Sequence, residues 1–284
     1  MRPIGINTWV WQSPLRDQTA PEAVAHVADL GFDVIELPLE REGDLTAAAV
    51  GPLLELHGLA ATVVGAMGPD RALVAADDDT VAETQRYLRS CIDLAADLGA
   101  SSVCGPFTAQ TGRTWRMDAD ERRRVIEELR EHLAPVVEHA AARGITVGVE
   151  PLNRYETSII TTVAQALDAL EPLLGPHLGL ALDTYHLGIE ERSSADAIRT
   201  AGAAIAHVQV CGNDRGAPGG DQTDWAGIRE ALDEVDYRGP LVIESFTAEN
   251  AAIAVAASIW RPLATSQDDL ARDGLAFLRE LERS

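Results

Sequence analysis

Lysine is absent from the chain: all 23 of its basic side chains are arginines. Schiff-base catalysis, pyridoxal-phosphate attachment and a phosphate-loop lysine are thereby excluded. Cysteine is scarce. Cys91, Cys104 and Cys211 are odd in number and lack Cys-x-x-Cys spacing, which argues against a disulfide framework or a thiolate zinc site and fits reduced thiols. No apolar stretch runs free of charge, Gly or Pro for long enough to span a bilayer. The opening segment, Met1–Gln12, carries one Arg and neither the apolar run nor the small-residue cleavage site of a secretory signal, so a cytoplasmic location is expected. Basic charge is also in deficit: 45 acids leave a formal net charge of −22. Such a surface repels phosphate backbones and anionic bilayers, so neither nucleic acid nor membrane is expected as a partner. The one basic cluster, Arg122–Arg124, precedes Glu127 and Glu128 and reads as a solvated helix face with intrahelical charge pairs.

What is present is a repeat of short β-branched runs and longer amphipathic stretches along all 284 residues, 46% of them hydrophobic. Parallel strands joined by crossover helices have this pattern. The runs predict strands at Ile4–Val10, Asp33–Leu37, Ala60–Ala66, Ser102–Phe107, Thr146–Glu150, Leu178–Leu182, Ala204–Cys211 and Leu241–Phe246. Helices are predicted at Pro21–Leu30, Thr46–His57, Thr80–Leu98, Ala119–Ala142, Val163–Leu174, Ser194–Ala201, Trp225–Val235 and Asp268–Leu281. Gly31, Gly58, Gly99 and Gly144 supply helix stops, and the acidic Asp77–Asp79 run opens a helix. The expected fold is an α/β (βα)8 TIM barrel, a single domain over residues 1–284.

Active sites of such barrels assemble at the carboxyl ends of the strands. Glu150, Asp183 and Glu244 each directly follow an apolar run. Three buried carboxylates brought together repel unless a cation neutralises them, so a divalent metal is expected. The seventh run places His207, Gln209 and Cys211 on one side of its strand by two-residue alternation. Gln209 lies nearer the catalytic end. With Gln209 as the fourth ligand the site is all oxygen and favours Mn²⁺ or Mg²⁺; with His207 in its place Co²⁺ or Zn²⁺ becomes competitive. His207 otherwise reads as a buried, hydrogen-bonded histidine.

The segments Glu150-Pro-Leu-Asn-Arg-Tyr-Glu156-Thr, Asp183-Thr-Tyr-His186-Leu-Gly-Ile-Glu-Glu, Glu244-Ser-Phe246 and Ile259-Trp-Arg-Pro-Leu resemble the ketose 3-epimerases of the xylose-isomerase-like barrel superfamily. The resemblance runs nearly end to end and is densest over residues 144–263. It implies a metal, usually Mn²⁺ with Mg²⁺ or Co²⁺ as alternatives, held by Glu150, Asp183, Gln209 and Glu244. It also implies that Glu156, His186 and Arg215 meet substrate oxygens, that Phe246 walls the pocket, and that the protein is a homodimer or homotetramer. The epimerases carry His at the position of Gln209, whereas hydroxypyruvate isomerase carries Gln. The Cys211-Gly-Asn-Asp-Arg215-Gly segment also departs from the epimerase Gly-Glu-x-x-Arg pattern.

The implied reaction inverts C3 of a free ketohexose or ketopentose through a cis-enediolate, with Glu150 and Glu244 as the acid and base. Trp9, Trp11 and Phe246 are candidates for stacking on the sugar. The Ala-rich stretch 248–259 is a candidate contact surface between copies. Alternatives remain at this point: an aldose–ketose isomerase, a lyase or epimerase of 3-oxo-glycosides, and a non-catalytic sugar-binding module. The endonuclease branch of the superfamily needs a histidine-rich zinc cluster that these strand ends do not supply.

Overall fold

The computed structural model describes residues 1–284 and contains a closed eight-stranded parallel barrel in sequence order. Its strands are β1 (Ile4–Asn7), β2 (Val34–Leu39), β3 (Ala60–Gly65), β4 (Ser102–Gly105), β5 (Thr146–Val149), β6 (Leu178–Asp183), β7 (Ile205–Val210) and β8 (Leu241–Ile243). Pairing of Ile6 on β1 with Ile243 on β8 closes the ring. The helices are α1 (Ala20–Leu30), α2 (Ala47–His57), α3 (Asp78–Asp97), α4 (Ala119–Arg143), α5 (Val163–Leu170), α6 (Thr184–Glu190), α7 (Ser194–Ala201), α8 (Trp225–Glu234), α9 (Ala251–Ala256) and α10 (Gln267–Leu281). None is long and apolar enough to cross a membrane.

Burial explains why the strands read as unbroken apolar runs. Parallel strands are covered by side chains inside the ring and by helices outside it, and β2 and β6 are buried at every residue. Helix starts follow side-chain caps: Thr46, Asp77, Asp118, Thr162, Ser193 and Ser266 each accept a backbone N–H of the first turn. Arg122 leaves the solvated face of α4 and donates to the carbonyls of Ser158 and Ile159. Arg2 joins the two ends of the chain, with NH1 2.6 Å from Glu282 Oε1 and NH2 2.5 Å from Asp233 Oδ1.

The strands stop earlier than the apolar pattern does. Thr8–Val10 turns into a 3-10 helix because the Asn7 side chain accepts from Trp9 N at 2.9 Å. The eighth strand ends at Ile243 rather than Phe246, and the expected helix Val163–Leu174 gives way to a 3-10 turn at Glu171–Leu173, where Pro172 offers no N–H donor. Two short helices were not foreseen. Asp183 caps α6 through Tyr185 N, and α9 occupies the Ala-rich stretch after β8.

β4 ends where Gly105 adopts φ +151 and its Cα faces the Gly65 carbonyl. A Cβ there would lie 2.5 Å from Gly65 O and 2.7 Å from Phe107 Cε1. Gly105→Ala is expected to destabilise the fold by about 1–3 kcal/mol. Gly175→Ala, whose Cβ would meet nothing within 4 Å, should be near neutral. Equal unfolding midpoints for the two variants would contradict the close approach at Gly105.

Candidate active site

The last four strands deliver their polar residues to one level. Asp183 closes β6 and pairs in register with Gln209 of β7. Glu150 and Glu244 stand one residue beyond β5 and β8, yet each continues the ladder: Glu150 N donates to Gly105 O at 2.9 Å and Glu244 N to Val210 O at 3.1 Å. All four side chains are buried. Asp183 performs a second task, because capping α6 directs His186 back over the barrel mouth. The ligand atoms of Glu150, Asp183 and His186 lie within 4.8 Å of one another.

Asn153 N donates to His186 Nδ1 at 3.0 Å, while Arg215, whose guanidinium can only donate, lies 3.1 Å from His186 Nε2. That nitrogen lies 3.4 Å from Glu150 Oε1 and 3.7 Å from Asp183 Oδ2. Burial, and secondarily the Arg215 charge 3.1 Å away, hold His186 well below the usual imidazole range. Asn153 also donates from Nδ2 to Glu156 Oε1 at 2.7 Å, so one loop residue orients both His186 and Glu156.

Arg215 enters from the loop after β7 with its backbone at φ +68. Its guanidinium carbon lies 4.1 Å from the centre of the Tyr185 ring and 4.9 Å from that of Phe246. NH1 donates to Asp183 Oδ2 and, at 3.2 Å, to Glu244 Oε2. This cation moderates the carboxylates without cancelling the cost of burying them. Burial, then repulsion from Glu244 and Asp183, raises Glu150 well above the carboxylate range. Burial likewise raises Asp183 against the pull of Arg215, and pushes Glu244 up to about 8.

The cluster forms the deep end of a cavity of 420 Å³ at the barrel mouth, lined there by Glu150, Glu156, His186, Arg215, Glu244 and Phe246. Trp9 also lines the cavity, next to Phe246, with the two ring centres 6.4 Å apart. Its Nε1 donates to Glu40 Oε1 at 2.9 Å, an oxygen that also accepts from Ser13 at 2.6 Å. Trp11 is placed elsewhere, which corrects its candidacy for stacking. Beyond the 3-10 turn it faces outward, donates to Asp268 Oδ1 at 2.9 Å and meets His26 edge-on. The Ala-rich stretch contributes Ala252, Ile253, Ala256 and Ala257 to the cavity wall.

The donor set fits a hard divalent cation. Glu150, Asp183 and Glu244 gather beside Gln209, and two of these groups retain a buried oxygen with no hydrogen-bond donor, Glu150 Oε1 and Gln209 Oε1.

The family model for the xylose isomerase-like TIM barrel matches residues 24–281. The chain belongs to that family. Among its relatives, a probable ketose 3-epimerase of Synechocystis sp. is 32% identical over 97% of this chain and 95% of its own length. An L-ribulose 3-epimerase of Methylomonas sp. is 31% identical over 97% of this chain and 96% of its own. A crystal structure of D-allulose 3-epimerase from Methylomonas sp. with D-allulose superposes with a TM-score of 0.88 at 29% identity, covering 98% of this chain and 96% of that one.

In this member of the xylose isomerase-like family, one buried acid beneath the site escaped the sequence reading. Glu36 is fully buried and accepts from Asn7 Nδ2 at 3.1 Å, Thr62 Oγ1 at 3.0 Å and Gln209 Nε2 at 2.8 Å. His207 Nε2 sits 2.8 Å from Glu36 Oε2, although neither ring nitrogen makes a hydrogen bond of good angle. Burial works to raise Glu36, but His207 and the bonds from Gln209 and Thr62 outweigh it and hold the carboxyl below its usual value. Glu36, Cys104 and His207 group closely enough to suggest a second metal. The Glu36 oxygens are already occupied by donors, so hydrogen bonding accounts for that grouping. The signal for Glu36 was available as an acid at an inward position of an apolar run.

The raised Glu244 carboxyl has a consequence for stability. Below about 4.5 it is protonated in both folded and unfolded chains; as pH rises towards about 8 the unfolded chain loses its proton while the fold keeps it, so stability falls. In chelator-treated protein, urea unfolding between about pH 5 and about pH 8 should lose stability more steeply for the parent than for Glu244→Gln. Parallel curves would mean that the folded carboxyl is ionised.

Proposed function

We propose that the protein is a divalent-metal-dependent ketose 3-epimerase acting on a free ketohexose or ketopentose. The observation that carries this reading is the pair of buried carboxyls, Glu150 and Glu244, delivered by strands β5 and β8 to one end of the same cavity. Their relatives' names point the same way. Inversion at C3 needs one group to remove a proton from one face of the sugar and another to return a proton to the opposite face.

Glu150, Asp183, Gln209 and Glu244 would hold the metal, with Mn²⁺ favoured by the oxygen donors and Mg²⁺ or Co²⁺ as alternatives. When bound, the cation supplies Lewis-acid polarisation of the ketose carbonyl and neutralises charge in the cluster. Glu150 and Glu244 exchange the roles of base and acid according to which epimer enters, passing through an enediolate of the sugar. His186 and Arg215 orient substrate oxygens, while Glu156, tethered by Asn153, accepts a hydrogen bond from a hydroxyl. Phe246 and Trp9 enclose the sugar and exclude water.

A neutral substrate follows from the lining. Four glutamates and one arginine face the cavity, and that arginine is engaged by Asp183 and Glu244. A phosphate would find no free cation there. Three buried, unpaired thiols support a reducing, cytoplasmic setting.

The test is proton NMR of the Mn²⁺-loaded enzyme in D₂O with L-ribulose, D-fructose, D-tagatose, D-allulose and hydroxypyruvate. Deuterium at C3 with a new epimer is expected, and Glu150→Gln or Glu244→Gln should abolish it while leaving the circular dichroism unchanged. Exchange at C1 or C2 with an aldehyde product would instead support the aldose–ketose isomerase that Gln209 favours. Near-normal turnover by either variant would sink the acid–base pair.

A dimer or tetramer belongs to the same reading, supported by the exposed Tyr155, Val255 and Trp260 side chains. Sedimentation equilibrium should find two or four copies; monomer alone would remove this part.

A further inference from the structure

The side-chain amide of Gln209 has two ends of nearly equal shape and opposite chemistry: a nitrogen that only donates and an oxygen that only accepts. Only the oxygen end can ligate a cation, and only while no donor occupies it. Its Nε2 donates to Glu36 Oε1 at 2.8 Å and to Glu244 Oε1 at 2.9 Å, while its Oε1 is buried and accepts nothing. We propose that Glu36 is a positioning residue for the metal centre: by accepting from Gln209 Nε2 it fixes the polarity of the amide and presents Gln209 Oε1 to a divalent cation. The proposal rests on Gln209 being a ligand, as in the reading above.

Glu36 is built to be immobile. Asn7, Glu36 and Thr62 are register partners on β1, β2 and β3. Asn7 Nδ2 holds one carboxylate oxygen and Thr62 Oγ1 the other, and His207 lies 2.8 Å from the latter. Its carboxylate is therefore clamped by neighbours in the same layer of the barrel. Were the Gln209 amide reversed, its carbonyl oxygen would sit against a carboxylate oxygen at hydrogen-bond distance, two acceptors with no proton between them. Glu244 also receives Nε2, but it faces the cavity and belongs to the reacting set. Glu36 does not line the cavity, so its contacts are spent on orientation alone. Partners of this kind typically tune metal affinity by about 10–100-fold.

The experiment measures Mn²⁺ binding to the otherwise intact chain by titration calorimetry and by the electron paramagnetic resonance signal of free Mn²⁺, for the parent, Glu36→Gln, Gln209→Ala and the double variant. Each is paired with thermal unfolding of the metal-free protein. Glu36→Gln removes the charge that dictates amide polarity and is expected to weaken Mn²⁺ about 10–100-fold. In the Gln209→Ala background the same change should have no further effect, a coupling that a purely structural role would not produce. Glu36→Asp keeps the charge near His207 but withdraws the acceptor from Gln209 by one methylene; it too should weaken Mn²⁺, and serves if Glu36→Gln does not fold. Unchanged Mn²⁺ affinity in the folded Glu36 variant, or losses that simply add in the double variant, overturns the proposal. If Gln209→Ala itself binds Mn²⁺ as tightly as the parent, the assignment of Gln209 as a ligand falls and takes this inference with it. If Gln209→Ala weakens binding and the Glu36 variants do not, only the positioning role falls.

Discussion

Negative charge held out of water at the mouth of a barrel is the constraint around which this molecule is arranged. Glu36, Glu150, Asp183 and Glu244 are all buried within one polar cluster. An isolated ionised carboxylate in such surroundings is strongly disfavoured, and neighbours of like sign worsen it. The structure answers in two different ways. Glu36 is surrounded by donors that hold its carboxyl below the usual value; at Glu150 and Glu244 burial prevails and pushes the carboxyls up. One fold thereby places an anion held by donors beneath two carboxyls whose burial disfavours their charged forms.

The scaffold makes that division possible through register. β6 and β7 bring Asp183 beside Gln209, and the ladder carries Glu150 and Glu244 one residue beyond the formal strand ends. The site is thus held by backbone hydrogen bonds rather than by loops. Loop residues sit above it: Arg215 on a left-handed backbone turn, and Asn153 on the loop after β5. Arg215 is wedged between the Tyr185 and Phe246 rings, so aromatic packing fixes the position of the one cation that faces the cavity.

The sequence revealed the strands because a buried parallel strand must be apolar on both faces. It overran their ends because apolar residues continue to be buried after pairing stops, as Phe246 does in the cavity wall. Glu150, Asp183 and Glu244 stood out as acids terminating apolar runs. Glu36 has the same chemistry but lies inside its run, followed by Leu37, Pro38 and Leu39, so it did not resemble a terminus. Trp9 and Trp11 are two residues apart and equivalent on paper. The 3-10 turn capped by Asn7 directs one into the cavity and the other towards α1 and α10. Pairings of this kind depend on side-chain direction across distant elements, which local pattern does not encode.

His207 and Gln209 show how far periodicity alone reaches. Two-residue alternation places both inward and cannot choose between them as ligands. Depth along the strand separates their environments. His207 meets Glu36, whose oxygens are occupied, while Gln209 stands level with Asp183 and spans the gap between Glu36 and Glu244. The imidazole at the lower level packs against the Glu36 carboxylate. The amide at the upper level gives its nitrogen to carboxylates of both floor and site, Glu36 and Glu244, and its oxygen is left without a donor. A neutral ligand at this position leaves three carboxylates rather than four around the proposed cation, which keeps the cluster's charge within what one divalent ion and Arg215 can offset.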